Sequence, residues 1–198
     1  MSEWWTYRPS SFLMFAPRAY WRLLELYQRE VWPLQLLALA LGMGLLWIAS
    51  GRRANAARVI CAVLALAWLW VGWAFHWQRY ATINWGARYF ALAFAVQAVA
   101  LLAMGVLRSG RPAPLATGGM RQLGLGLAAF GVIAYPLVSV LAGRPWAQAE
   151  VFGLLPEPTA LATVGLVLAA GPRGRGWLIV IPVLSLMLGM TTLWLISG

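Results

Sequence analysis

The sequence predicts an all-α integral membrane protein, with about six transmembrane helices arranged as three hairpins behind an N-terminal amphipathic helix at the membrane interface. Three observations carry that expectation. Of the 198 residues, 62% are hydrophobic and 10% charged, with a mean hydropathy of +0.75, leaving too little polar surface to wet a soluble domain of this length. Apolar runs long enough to cross a bilayer recur along the chain. The arginines lie mostly in the short connections between those runs, where the positive-inside rule concentrates them.

Residues 1–32 form the first unit, an interfacial segment, and residues 33–198 the six-helix transmembrane domain. MSEWWTYRPS lacks the basic start and short apolar core of a signal peptide, so the first spanning segment is expected to act as its own insertion signal. In PRAYWRLLELYQREVW, Arg18, Arg22, Glu25 and Arg29 share one helical face, while Tyr20, Leu23, Leu24, Tyr27 and Val31 share the other. Glu25 can pair with Arg22 and Arg29. With Trp4, Trp5, Trp21 and Trp32 nearby, this reads as a helix lying along the membrane surface, the alternative being a lid over an outward cavity.

The spanning segments are read as 33–50, 58–77, 86–108, 123–143, 151–171 and 177–197. Pro33 suits a first helical position, where its missing N–H costs nothing. The connections after the first, third and fifth segments hold Arg52, Arg53, Arg58, Arg108, Arg111, Arg121, Arg173 and Arg175. Those after the second and fourth hold Arg79, Arg88 and Arg144. This asymmetry places the richer set in the cytoplasm and both termini on the outer side, against the pull of Arg8, Arg18, Arg22 and Arg29. The inner turns SGRR, SGRP and GPRGR hint at a repeated hairpin. Ala91, Ala95, Ala98 and Gly105 form a small-residue stripe on segment three that permits close packing, within the chain or between subunits.

The net charge of +10 arises from fifteen arginines against five acids and is a topology signal. Without aromatic interleaving it offers no nucleic-acid site. Cys61 is alone, so no internal disulfide forms, and the sequence holds no HxxxH, CxxC, GxSxG, HExxH or phosphate-binding glycine loop. No catalytic residue, metal site or cofactor is assigned, and the chain is not expected to be an enzyme.

The informative residues are the rare polar ones inside apolar runs. His76, beside Tyr80 on one helical face, either shuttles a proton or binds a metal, or sits hydrogen-bonded among interfacial aromatics. Asn84 can cap segment three and Gln97 calls for an interhelical partner. Pro136, after Tyr135, deprives the Val132 carbonyl of its usual donor, so a kink or a polar contact is expected. In FGLLPEPTALATVGLVLAA, a helix opening at Pro158 and Thr159 is too short to cross. The chain is therefore expected to enter as the irregular stretch VFGLLPEP, a discontinuous helix of the kind that builds transporter sites. Glu157, between Pro156 and Pro158, either simply caps the positive helix end or also handles a solute or proton there.

WWTYRPSSFLMFAPRAYWRLLELY, FHWQRYATINWGARYFALAFAVQA, AYPL and FGLLPEPTALATVGLVL together resemble a family of small bacterial inner-membrane proteins of unknown function. That family's last motif usually runs closer to G-x-P-C-P-T, so Glu157 stands where its cysteine does. The resemblance implies six helices, a special Pro-x-Pro-Thr turn and a bacterial inner-membrane location, and lends no activity.

The function expected is an inner-membrane transporter or channel for a small solute or cation. Its outward site combines Pro156, Glu157, Pro158, Thr159, Tyr135, His76, Tyr80 and Asn84, a carboxylate among aromatics. The expected partners are the lipid bilayer and a homo-oligomer or membrane-complex subunit. The alternatives are a non-transporting accessory subunit of a membrane complex and a membrane-embedded metal or redox protein.

Overall fold

The computed structural model describes residues 15–51, 55–107, 118–172 and 174–197. Trp4, Trp5, Arg8, Arg52, Arg53, Arg108, Arg111 and Arg173 lie outside the described residues. The described chain is all helical. The elements are α1 (Pro17–Glu30), α2 (Leu34–Ser50), α3 (Ala56–Trp70), α4 (Ala87–Ala100), α5 (Gly118–Ala129), α6 (Tyr135–Leu141), α7 (Pro156–Ala170), the short α8 (Arg175–Leu178) and α9 (Val180–Ser197). Wider π turns extend α3 over Val71–Trp77 and α4 over Leu101–Leu107, and join α5 to α6 over Phe130–Ala134.

Four continuous helical stretches are long and apolar enough to cross a membrane: Ala56–Thr82, Ala87–Leu107, Gly118–Leu141 and Arg175–Ile196. A fifth is obtained if α1 and α2, bent by 85° at their junction, are taken as one broken span. The expected first and fifth spans differ for one physical reason, length. The 17 residues of α2 and the 15 of α7 rise about 26 Å and 22 Å, short of a hydrocarbon core of roughly 30 Å.

α7 compensates for its shortness by its position. Every residue in it is buried except Leu161 and Leu168, which are half-buried, so it is apolar all round and enclosed by its neighbours. Its closest partner is α5, and glycine makes the approach. A Cβ on Gly165 would strike the Ala128 N and Gly124 O of α5, and a Cβ on Gly124 would come within 2.7 Å of Ala169 N and Gly165 O. Gly131 meets Ala162 N and Pro158 O in the same way. The two backbones thus touch along a seam of missing side chains.

α7 opens two residues earlier than the sequence reading has it. Pro156, and not Pro158, is its first residue, following the extended Leu155. N–H groups of a first turn have no intrahelical acceptor, so a helix accepts prolines there without losing a bond. The irregular entry shrinks to the turn before Leu155, where Gly153 takes a left-handed φ of 77°. Thr159 Oγ1 ties this turn to the helix, accepting from Gly153 N–H at 2.8 Å and donating to Leu155 O at 2.6 Å. At the other end, Gly171 in the left-handed region stops α7.

Deeper in α7, Thr163 Oγ1 accepts from the indole Nε1 of fully buried Trp68 at 2.8 Å and donates to Thr159 O. Thr163→Val strands that indole N–H in an apolar interior. The expected loss is about 1 kcal/mol, within the range of interhelical hydrogen bonds in membrane proteins, while Thr163→Ser retains stability. Thermal unfolding of the two variants in detergent checks it; equal midpoints would remove the hydrogen bond from the account.

At Pro136 the expected disruption takes the form of the π turn over Phe130–Ala134, after which α6 restarts with proline in its first turn. The wider ring takes up the missing donor. The small-residue stripe of α4 is occupied within the chain. Ala91, Ala98 and Gly105 are buried and Ala95 half-buried, with Gly72 of the α3 extension over Ala91 and Cys61 of α3 against Gly105.

Candidate functional site

The broken start of α7 meets the end of the α3 extension, α4, α1 and α9 around a cavity of ≈ 190 Å³. Its polar lining is Glu157, His76, Tyr80, Tyr20, Ser185 and Thr192; its apolar lining includes Phe75, Phe90, Phe94 and Pro156. α9 closes one side with Ile181, Leu184, Leu188 and Gly189. A side chain at Gly189 would collide with the Glu157 carboxylate, so this glycine makes the room in which the acid sits.

Two residues of this lining carry buried polar atoms without hydrogen-bond partners. Glu157 is 6% exposed and its Oε2 has no hydrogen-bond donor. His76 is 4% exposed and neither ring nitrogen is bonded. It stands in an aromatic box, with ring centroids of Phe94 at 4.6 Å, Phe75 at 5.3 Å, Phe90 at 5.7 Å and Tyr80 at 6.0 Å. Buried polar atoms are normally satisfied, so unpartnered ones on two residues that line one cavity mark a place suited to something polar.

Behind Glu157 lies a cluster that the sequence reading passes over. The Glu150 side chain, 1% exposed, accepts from Arg144 Nη1 at 3.4 Å. The Glu150 and Glu157 carboxyls also lie within hydrogen-bonding reach of each other. Burial pushes the Glu150 carboxyl above its ordinary value, against the opposing pull of Arg144. Arg144 is held from its other side by the Trp21 ring, 4.4 Å from its guanidinium carbon.

α1 fixes that arrangement. Tyr20, Leu24, Tyr27 and Gln28 face inward, while Arg18, Arg22 and Arg29 are exposed. Glu25 pairs with Arg22 at 3.1 Å and with Arg29 at 2.6 Å. Tyr27 donates to Leu154 O at 3.1 Å and Gln28 to Ala149 O, binding the helix across the loop that carries Glu150. A second tie runs from Glu30 to Arg79.

Of the residues singled out from sequence, Pro156, Glu157, His76 and Tyr80 line the cavity together. Asn84 is buried and does not line the cavity; its Oδ1 accepts from Gly86 N–H at 3.0 Å just before α4. Pro158 and Thr159 are buried in the first turn of α7 and do not line the cavity. Tyr135 is half-buried, lies within electrostatic reach of Glu150, Glu157 and Arg144, and does not line the cavity. The readings missed Glu150, Arg144, Tyr20 and the wall of α9. A signal for Glu150 was present: a chain with five acids places two of them seven positions apart around an apolar turn.

Among the described residues no three His, Cys or acidic side chains gather as a metal site, and Cys61 is a buried free thiol. Gln97 donates across to Leu178 O at 2.8 Å.

A family model described as a family of unknown function (DUF6064) matches residues 17–197. The chain belongs to this family. That span takes in α1 together with every later element, so the helix bearing Tyr20, Trp21 and Tyr27 is part of the DUF6064 unit. No curated protein and no solved structure matches the chain.

Proposed function

We propose that this DUF6064 protein is a bacterial inner-membrane transporter of a small organic cation or protonatable amine, held in the cavity at the start of α7. In this reading the four long helices span the bilayer. α2 and α7 complete the expected count of six segments as short helices screened by protein, and α1 lies along the outer interface as the lid of the cavity. The arginine-rich turns then face the cytoplasm and both termini the periplasm. The exposed apolar face of α9, with Val183, Met187, Met190 and Trp194, meets lipid.

The observation that carries the proposal is the buried carboxylate of Glu157, one oxygen of it without a donor, in the wall of a small cavity lined by Tyr20, Phe75, Tyr80, Phe90 and Phe94. A carboxylate supplies the charge and aromatic faces supply cation–π attraction to an ammonium group. His76 adds one hydrogen-bonding position for a polar atom of the solute. The short α7, buried in protein, provides the non-lipid surroundings that an interrupted helix needs.

Binding is the direct test. Purified protein in detergent is titrated with tetramethylammonium chloride by calorimetry, with sodium chloride as the ionic-strength control. Saturable binding is expected in the wild type, reduced at least about tenfold in Glu157→Gln, which removes the charge and keeps the shape. Wild-type protein that shows no heat beyond the salt control would sink the cation site.

A further inference from the structure

From the acid pair and its single arginine, we infer that the site exchanges a proton for its cation: the empty protein holds one proton between Glu150 and Glu157, and entry of the cation expels it to solvent. The inference rests on the cation site proposed above and adds the identity of the co-transported ion.

The argument is a count of charges. Glu150 and Glu157 are both more than nine-tenths buried, and their carboxyls lie in mutual hydrogen-bonding reach. Each has an Oε2 for which the surroundings provide no donor. Two carboxylates repel across such a contact, and only a proton carried by one of them turns it into a hydrogen bond. Arg144 supplies one positive charge to the cluster, at 3.4 Å from Glu150. Two carboxylates and one guanidinium leave an unbalanced negative charge, which a buried site avoids. One shared proton makes the empty cluster neutral. A bound ammonium in the cavity makes it neutral again only if that proton leaves.

Among the described residues no other group takes over the role. The ionisable side chains facing the pair are Tyr20 from α1, His76 and Tyr80 from the α3 extension, Tyr135 from α6, and Arg144 from the loop. α9 contributes the hydroxyls of Ser185 and Thr192 to the cavity and carries no charged residue. α2 has no ionisable side chain, and Arg121 of α5 is spent on the Ala49 carbonyl, where it donates at 3.1 Å. Arg58 and Cys61 sit at the opposite end of α3.

The step balances simply. The O–H bond of the shared carboxyl breaks, the proton passes to water, and the new carboxylate pairs with the ammonium; nothing is oxidised or reduced. Glu157 borders the cavity, and Glu150 with half-buried Arg144 lies toward the loop, so the pair connects the solute space to the loop side of the protein.

The experiment measures protons and cation together. Wild-type protein in detergent is titrated with tetramethylammonium chloride in two buffers of different ionisation enthalpy, and in weakly buffered solution with an indicator dye. About one proton released per cation bound is expected, and affinity rises about tenfold per pH unit while the empty site holds its proton. Glu150→Gln leaves Arg144 to neutralise Glu157, so the cation binds more weakly and without proton release. Binding by the wild type with no release, and an affinity flat with pH, overturns the exchange and leaves the cation site standing. Equal release on adding sodium chloride overturns the organic-cation class, and absence of any binding removes the site and the exchange together. The wild-type arms need no variant, so a misfolded mutant cannot decide the matter.

Discussion

Arg144→Met is expected to destabilise the protein by about 3 kcal/mol at neutral to alkaline pH, and by less in acid. Among the described residues the guanidinium is the one cation paired with the buried Glu150 carboxylate, and half-buried itself it cannot be replaced by bulk water. Without it the protein either carries an uncompensated charge or takes up a proton. The sign of the pH dependence follows from burial. Desolvation already places the folded Glu150 carboxyl above its ordinary value, and loss of Arg144 moves it further up. A carboxyl raised on folding contributes stability fully present below its unfolded value and lost as pH rises through the folded one. The variant should therefore melt closer to the wild type in acid and fall away as pH rises. Thermal midpoints in detergent at acid and alkaline pH measure this. A deficit constant with pH would mean that packing against Trp21, and not charge, is what Arg144 provides. The double variant Arg144→Met, Glu150→Met removes both charges and should recover much of the loss.

Gly165→Val is expected to cost at least about 3 kcal/mol, because the space its side chain needs is filled by backbone. Even a single Cβ there would come within 2.8 Å of the Ala128 Cα, with Ala128 N and Gly124 O closer still. A flexible neighbour could turn away; a helix backbone moves only as a whole. The α5–α7 seam would have to open along its length, through Gly124 and Gly131 as well. Gly126, on the partner helix α5 with open space around its Cβ position, provides the comparison. Gly126→Val should lose only the helix propensity and rotamer terms, while Gly165→Val loses its cooperative unfolding transition or drops far in midpoint. Equal midpoints for the two would show that α5 and α7 do not approach at glycine.

The sequence and the structure part company where distance along the chain ceases to indicate distance in space. The long apolar runs, the proline-limited start of α7 and the partnership of His76 with Tyr80 follow from period, length and backbone chemistry, and were legible. Glu157 was legible as unusual because a charge in an apolar run always is. The burial of Glu150 and Arg144 was not, since in sequence they occupy a polar connection where charges are expected: spacing from Glu157 marks Glu150, but only the fold of that loop beneath α1 buries the pair. The α5–α7 seam was hidden for a different reason. Gly124 and Gly131 lie on one helical stretch and Gly165 on another, and no pattern within one helix states which partner it chooses. The stripe of α4 was visible in sequence, yet its occupant, α3 with its extension, was not.

α7 has a further consequence for how the molecule is made. A 15-residue helix, interrupted by proline at its start, is a poor candidate for retention in a bilayer on its own. Its surroundings are provided by α3 and α5, which the ribosome delivers earlier, and by α9, which it delivers last. The order of synthesis thus matches the order of need: a groove exists before its occupant emerges, and the final hairpin shuts it in. A chain permuted so that α7 is translated first would offer this helix to its surroundings before its partners existed.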